Sequence, residues 1–528
     1  MSAVVPNALP SRWAAATIGE LLDTPVEQIG PPSHHETFVY VDIGSVDNTT
    51  KRIVERQEML VTAAPSRARQ VLRQGDVLVS MTRPNLNAVA LVTKEFAGAI
   101  GSTGFFVLRS QTVEPRWIFY AVQTQGFVSA MCDVVQGALY PAVRPKDIAR
   151  WVCLIPPRTE QQRIVDTLDE LLSDLDAGVA ALERVRARLK HYRAAVLKAA
   201  VEGALTAQWR REHPATETAD ALLTRILIER RRRWEEAQLK KFEAAGKAPP
   251  KNWKEKYVEP VATDSGSLPA TPEGWCWASI DQLSLEVRNG YSAKPDATTG
   301  VPILRISAVR PYSIDLHDRR YLSGRELDYA SDQIAEGDLL FTRYNGSRNL
   351  VGVCAVVPKL DEPIVHPDKL IRARLVESES ASAFTGLAAN VGASRKYIEQ
   401  RIRTTAGQAG VSGSDVKALP VPLPPIAEQA AIVEAVEDQL SVIDHLERDL
   451  DARLQSAQSL RQSILRHAFT GQLVPQDPND EPASELLKRI AAEREARAQL
   501  AAVAKRKAKP AKAGRARDSR RARTDARE

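Results

Sequence analysis

Two polar loops hold the side chains best equipped for chemistry in this 528-residue chain. The first, Met81-Thr82-Arg83-Pro84-Asn85-Leu86-Asn87, follows the β-rich run Asp76-Val77-Leu78-Val79-Ser80, and Pro84 keeps it from becoming helix. The second, Arg343-Tyr344-Asn345-Gly346-Ser347-Arg348-Asn349, follows Gly337-Asp338-Leu339-Leu340-Phe341-Thr342. Guanidinium, amide and hydroxyl groups in such loops suit hydrogen-bonded recognition, and a planar arginine fork suits paired acceptors. Each of these residues also has a plainer reading, as ordinary exposed loop polarity.

Signatures of bond-making chemistry are missing. There is no G-x-x-x-x-G-K-[ST] phosphate loop, no H-E-x-x-H, no G-x-S-x-G elbow and no G-x-G-x-x-G. His34-His35 is an isolated pair in a polar loop, and the eight histidines show no metal-ligand spacing with cysteine. Cys132, Cys153, Cys276 and Cys354 stand far apart, which argues against a disulfide framework and suits a reducing cytoplasm. No window approaches a membrane span, so a soluble intracellular protein is expected.

The elements that must position the loops occur twice. Ile155-Pro156-Pro157-Arg158-Thr159-Glu160-Gln161 returns as Leu423-Pro424-Pro425-Ile426-Ala427-Glu428-Gln429, 268 positions later. Two prolines stop an extended run and occupy helix positions whose N–H would be unpaired, and the glutamate favours the positive helix end. Trp13 and Gly75-Asp76 recur at Trp275 and Gly337-Asp338, both 262 positions on. The framework is a tandem duplication whose loops differ, as two binding modules for different targets would require.

After each proline pair the spacing predicts a long helical rod. Ile164, Leu168, Leu171, Leu175, Leu182, Val185, Leu189, Tyr192 and Val196 mark one stripe in about Thr159–Glu202. Val433, Val436, Leu440, Ile443, Leu450, Leu454, Ala457 and Ile464 mark another in about Ala427–Phe469, and each rod is the expected partner of the other. Between the repeats lies a charged connector with Arg230-Arg231-Arg232-Arg233, read as a solvated helix face balanced by Glu229, Glu235 and Glu236 ahead of a phosphate contact. Lys505–Glu528 holds eleven Lys/Arg against three Asp/Glu, so the formal +6 of the chain becomes −2 without it. That tail is expected to be disordered, and any nucleic-acid contact of the body must be local.

Trp275-x-Trp277, the Gly-Asp-[Val/Leu]-Leu turn, Pro-Pro-x-x-Glu-Gln-x-x-Ile-Val and the run His467-Ala468-Phe469-Thr470-Gly471-Gln472-Leu473-Val474-Pro475-Gln476-Asp477-Pro478 resemble the specificity subunits of type I restriction–modification systems, the HsdS family. The resemblance covers about Leu9–Arg494. It implies an α/β (α+β) fold with two tandem target-recognition domains separated by two long antiparallel coiled-coil helices, a pseudo-two-fold repeat. The segments are then 1–155 (first recognition domain), 156–203 (first rod), 204–266 (connector), 267–423 (second recognition domain), 424–471 (second rod), 472–504 (C-terminal helix) and 505–528 (basic tail).

The family resemblance further implies a non-catalytic subunit, bacterial or archaeal and cytoplasmic, that reads a bipartite, asymmetric site on double-stranded DNA. Its partners would be two adenine-N6 methyltransferase subunits and ATP-dependent restriction subunits. S-adenosylmethionine, ATP and Mg²⁺ would be bound by those partners and none by this chain. Candidate DNA-binding residues are Arg83, Asn85, Asn87, Tyr140, Arg144 and Lys146 in the first module, and Arg343, Tyr344, Asn345, Ser347, Arg348, Asn349 and Lys369 in the second. Arg343 and Arg348 lead, because the fork fits guanine O6/N7 or a phosphate. Other readings are a methylation-only or type IIB-like system, an enzyme centre hidden in one module, and a protein-binding coiled-coil scaffold.

Overall fold

Described by the computed structural model are residues 10–22, 24–28, 36–135, 141–377, 379–405 and 408–507. His34-His35, Tyr140 and the tail beyond 507 lie outside them. The chain forms two compact units, Met1–Leu182 with Asp451–Glu528, and Glu183–Leu450.

In the first unit, strand Ala14–Thr17 pairs antiparallel with Val152–Ile155, so the entry and exit of the module meet. Thr17 then caps the short helix Ile18–Leu21, its hydroxyl accepting the Glu20 N–H while the Glu20 carboxylate accepts the Thr17 N–H. Strand Val77–Ser80 lies between Phe105–Leu108 and Val89–Leu91, and all four of its residues are buried. The turn before it is fixed by Asp76, which accepts two 2.7 Å bonds from Arg109 on one side of a buried pair. The second unit repeats this plan. Cys276–Ser279 pairs with Pro420–Leu423, and Leu339–Thr342 lies between Leu370–Leu375 and Cys354–Val356. Asp338 accepts two 2.7 Å bonds from Arg374.

The rods are the helices Arg158–Val201 and Ile426–Phe469. Each unit contains half of each rod. In the first unit Ile164, Leu168 and Leu172 share a core with Leu465 and Ala468, and Asp176 pairs with Arg461. In the second, Leu197, Ala200 and Val201 share a core with Ile432 and Val436, and Arg193 pairs with Asp444 and with Glu447. Rising numbers on one rod meet falling numbers on the other, so the pairing is antiparallel.

Leu172 is 3% exposed, whereas Leu171 is 38% and Val185 43% exposed. The first turns of the rod face a globular core and bury 164, 165, 168 and 172 at the helical period, not along a coiled-coil seam. For the same reason the Pro-Pro stops do not bound the compact units. Glu160, Gln161, Ile164 and Val165 are buried, and the division falls in mid-rod.

Each module is also completed by chain from the end of a rod. Gly471 has φ +74°, and a Cβ there would stand 2.6 Å from Cγ of Pro10, so glycine is needed for both the turn and the close approach. Helix Ala483–Lys507 follows, its first N–H donating to the Arg12 carbonyl at 2.9 Å, with Ala483, Leu486 and Ile490 in the first unit's core. In the second unit Gly203 closes on Pro272 and Trp275, and helix Ala219–Ala244 places Ala219, Leu222 and Ile226 in the core. Along that helix Arg231 pairs with Glu235, Arg232 with Glu229 and Glu236, and Arg233 with Glu229, a solvated face. Arg230 turns inward instead, donating to the Ser284 carbonyl at 2.9 Å and the Tyr257 hydroxyl at 2.6 Å. Among the described residues no helix is long and apolar enough to cross a membrane.

Candidate nucleic-acid interface

The strand held by Asp76 and Arg109 ends at Ser80 and launches the first loop. Met81 accepts the Val143 N–H at 2.8 Å, Thr82 bridges Ala142, and the Arg83 N–H donates to the Pro141 carbonyl at 2.9 Å. This pairing brings the loop beside Arg144 and Lys146, both exposed on the helical turn Pro145–Ala149 and its cap. Arg83 and Asn87, at φ +49° and +46°, bracket the short 3-10 turn Pro84–Leu86. Two non-glycine residues in the left-handed region cost of order 1–2 kcal/mol each, so outside contacts must hold the turn.

Those contacts are at Asn87. Its Nδ2 donates to the Val122 carbonyl at 2.8 Å, and its own carbonyl accepts Nζ of Lys51 at 2.5 Å. The Asn87 amide nitrogen is thus engaged in fixing the loop. Lys51 was not singled out by the sequence, since a lysine thirty-six residues away carries no local signal. Burial pushes its ammonium down to about 8, the nearby Arg461 charge adds to the fall, and Asp47 opposes it. Arg83 and Asn85 remain exposed.

In the second unit the corresponding edge carries a small sheet. Val411 N–H donates to the Arg343 carbonyl at 2.9 Å, as Val143 does to Met81. Strand Tyr344–Asn345 then pairs with Gln408–Gly410, which pairs with Arg403–Thr405. The Arg343 N–H donates to the Lys369 carbonyl at 2.9 Å, bringing Lys369 to the same edge with its side chain exposed. Beyond the strand, the Ser347 N–H donates to Oδ1 of Asn345 at 2.9 Å, and the turn Arg348–Leu350 is tied back by Arg395, which donates to the Asn349 carbonyl at 3.2 Å. Arg348 donates to the Glu399 carbonyl at 3.2 Å, so part of its fork is engaged in the fold. Ser347, Arg348 and Asn349 are exposed, while Arg343, Tyr344 and Asn345 are half-buried.

Among the described residues of the second unit, His366 is buried. His366 Nδ1 is 2.6 Å from the Asp332 carbonyl, and burial lowers its pKa to about 4, so the ring is neutral at pH 7. Among the described residues no group of three or more His, Cys, Asp or Glu is placed to hold a metal ion.

No family model matches the chain. The EcoKI specificity subunit of a type I restriction enzyme from Escherichia coli K12 is 30% identical over 440 residues, covering 81% of this chain and 82% of its own length. The chain belongs to the type I restriction enzyme specificity subunits. The StySPI specificity subunit from Salmonella potsdam is 26% identical over 445 residues, covering 80% of this chain and 82% of that one. A solved chain from a study of complex assembly and conformational transition of the type I R-M system has the same fold, with TM-score 0.60 at 21% identity over 89% of this chain and 100% of its own. In this specificity subunit, the two edges just described stand at equivalent places of a repeated framework and carry different residues.

Proposed function

We propose that this specificity subunit is the DNA-reading component of a type I restriction–modification complex, with one module for each half of a bipartite, asymmetric site. The observation that carries this reading is the pair of equivalent edges. An Asp–Arg lock with a buried carboxylate and an antiparallel framework hold each one, and the exposed groups differ: Arg83, Asn85, Arg144 and Lys146 on one, Ser347, Arg348, Asn349 and Lys369 on the other. Cationic side chains neutralise phosphates and set the register on the duplex, while forks and amides distinguish base edges in the major groove.

The subunit itself transfers no methyl group and cuts no DNA on this reading. Two adenine-N6 methyltransferase subunits, together with restriction subunits, bind S-adenosylmethionine, ATP and Mg²⁺ and supply the reactions. The test is reconstitution. The purified chain alone should incorporate no methyl groups above a no-protein blank, and the chain with its methyltransferase partner should methylate adenines within one bipartite sequence. Methylation by the chain alone, or methylation without sequence preference in the complex, would overturn the assignment.

A further inference from the structure

Three residues meet on one face of the small sheet in the second unit. Tyr344 is directly opposite Gly410, and Gly410 is directly opposite Arg403. Residues opposed in an antiparallel ladder direct their side chains to the same face, so Tyr344 and Arg403 flank the bare Cα of Gly410. A Cβ at Gly410 would stand 2.3 Å from Cδ1 and 2.6 Å from Cε1 of Tyr344. The phenol ring therefore lies across the glycine, a position that any larger residue there would close.

Arg343 packs on the same ring, its guanidinium carbon 4.8 Å from the centroid. Its Nε is buried without a hydrogen-bond partner among the described residues, and NH1 reaches the Asp368 carbonyl only at 3.5 Å. A buried donor left unpaired is costly. Arg403 is exposed, and no hydrogen bond or ion pair is seen for it among the described residues.

We propose that Arg343, Tyr344 and Arg403 form one DNA-contacting row of the second module, in which Arg403 grips a backbone phosphate and Arg343 reads a base edge. The division of labour follows from how each side chain is held. The ring fixes the plane of Arg343, and a fixed fork can discriminate paired acceptors such as guanine O6/N7. Arg403 is unrestrained and contributes charge, which carries affinity without sequence. Nothing in the local sequence of Arg403 marks it, because its place in the row comes from strand register. The inference rests on the proposed function above, that this module binds DNA.

The test uses the subunit in complex with its methyltransferase partner. Arg403→Ala should weaken binding to every duplex about equally and flatten the slope of log affinity against log salt by about one. Arg343→Lys keeps the charge and loses the fork, so discrimination at one base pair of the second half-site should fall by about tenfold. Gly410→Ala should disturb both through Tyr344. All three should leave first half-site discrimination unchanged. An unaltered salt slope in Arg403→Ala, or unaltered discrimination in Arg343→Lys, would overturn the row. Arg403 is exposed, so its variant keeps the test decisive even if Gly410→Ala fails to fold. Failure of the wild-type complex to prefer any sequence would instead overturn the proposed function.

Discussion

The indole N–H of Trp275 donates to Oε2 of Glu428 at 2.8 Å, tying the entry of the second module to the first turn of the second rod. Trp13 makes the corresponding bond to Glu160 at 3.1 Å. The duplication has thus kept a buried contact between segments that are remote in sequence. The surroundings of the two carboxylates have diverged. Glu428 also accepts from Thr206 at 2.8 Å and from Arg210 at 2.7 and 2.9 Å. Glu160 lacks such a direct cation partner among the described residues, and burial raises its pKa above the usual carboxylate range, with the Trp13 bond pulling the other way.

Glu428→Gln should therefore destabilise the second unit by about 2 kcal/mol, through loss of charge-assisted bonds and an uncompensated Arg210. Glu160→Gln should cost less and should change the response to pH. A raised folded-state pKa means that the folded chain binds the Glu160 proton more readily than the unfolded chain. Wild type then gains stability from this group as pH falls from neutral through that raised value, until the ordinary carboxylate range is reached. Thermal melts from pH 7 to 4 should show a smaller gain in Glu160→Gln, and identical pH profiles would refute the argument.

The contacts of Trp13 and Trp275 also show what the sequence could reveal. Pro-Pro-x-x-Glu-Gln was legible because prolines, a buried glutamate and a helix start are constrained locally, and both copies kept them. The Gly-Asp turn was legible for the same reason, although its arginine partner was not. Arg109 reaches Asp76 from just past the strand Phe105–Leu108, and Arg374 reaches Asp338 from the strand Leu370–Leu375. The rod stripe was half right. A heptad reading assumes a helix partner throughout, whereas the first turns of each rod belong to a globular core. Arg403 and Lys51 were invisible, since sheet register places one and a tertiary contact the other. Asn87 shows the converse, a polar loop residue whose amide nitrogen is engaged by the backbone it supports, which its sequence does not reveal.

Asp76→Ala should be among the more damaging single changes in the first unit. It leaves Arg109, 4% exposed, as a buried cation without its carboxylate, a loss of about 3–5 kcal/mol. Asp338→Ala should cost less, because the Arg374 side chain is 39% exposed and can be hydrated, while the buried Arg372, 3.9 Å away, keeps Glu286 as a partner. Equilibrium urea unfolding of the two variants gives the order directly, and a larger loss at Asp338 would contradict it.

Lys51 predicts a second pH effect, of opposite sense to acid stabilisation. Its folded-state pKa of about 8 lies below the ordinary lysine value of 10.5. The unfolded chain therefore binds more protons between about pH 8 and 10.5, and this group's contribution to stability rises with pH across that window. Lys51→Met lacks that component. The difference in melting temperature between wild type and Lys51→Met should shift in favour of wild type from pH 8 to 10, and a constant difference would exclude the effect.

Asn87 links loop strain to sequence reading. Its φ of +46° favours asparagine or glycine over alanine, and its amide secures the turn to the Val122 carbonyl. Asn87→Gly keeps the backbone conformation and loses the bond; Asn87→Ala loses both and should be the less stable by about 1 kcal/mol. In each, the exposed Arg83 and Asn85 are released from a fixed position, so discrimination at the first half-site should fall more for alanine than for glycine. On the proposed reading the second half-site belongs to the other unit and should be read as before. Mapping methylated adenines over a library of half-site variants, with the methyltransferase partner present, separates these outcomes. Equal loss at both half-sites would mean that Asn87 supports folding alone, whereas loss confined to the first would identify it as a positioning residue for the Arg83–Asn85 turn.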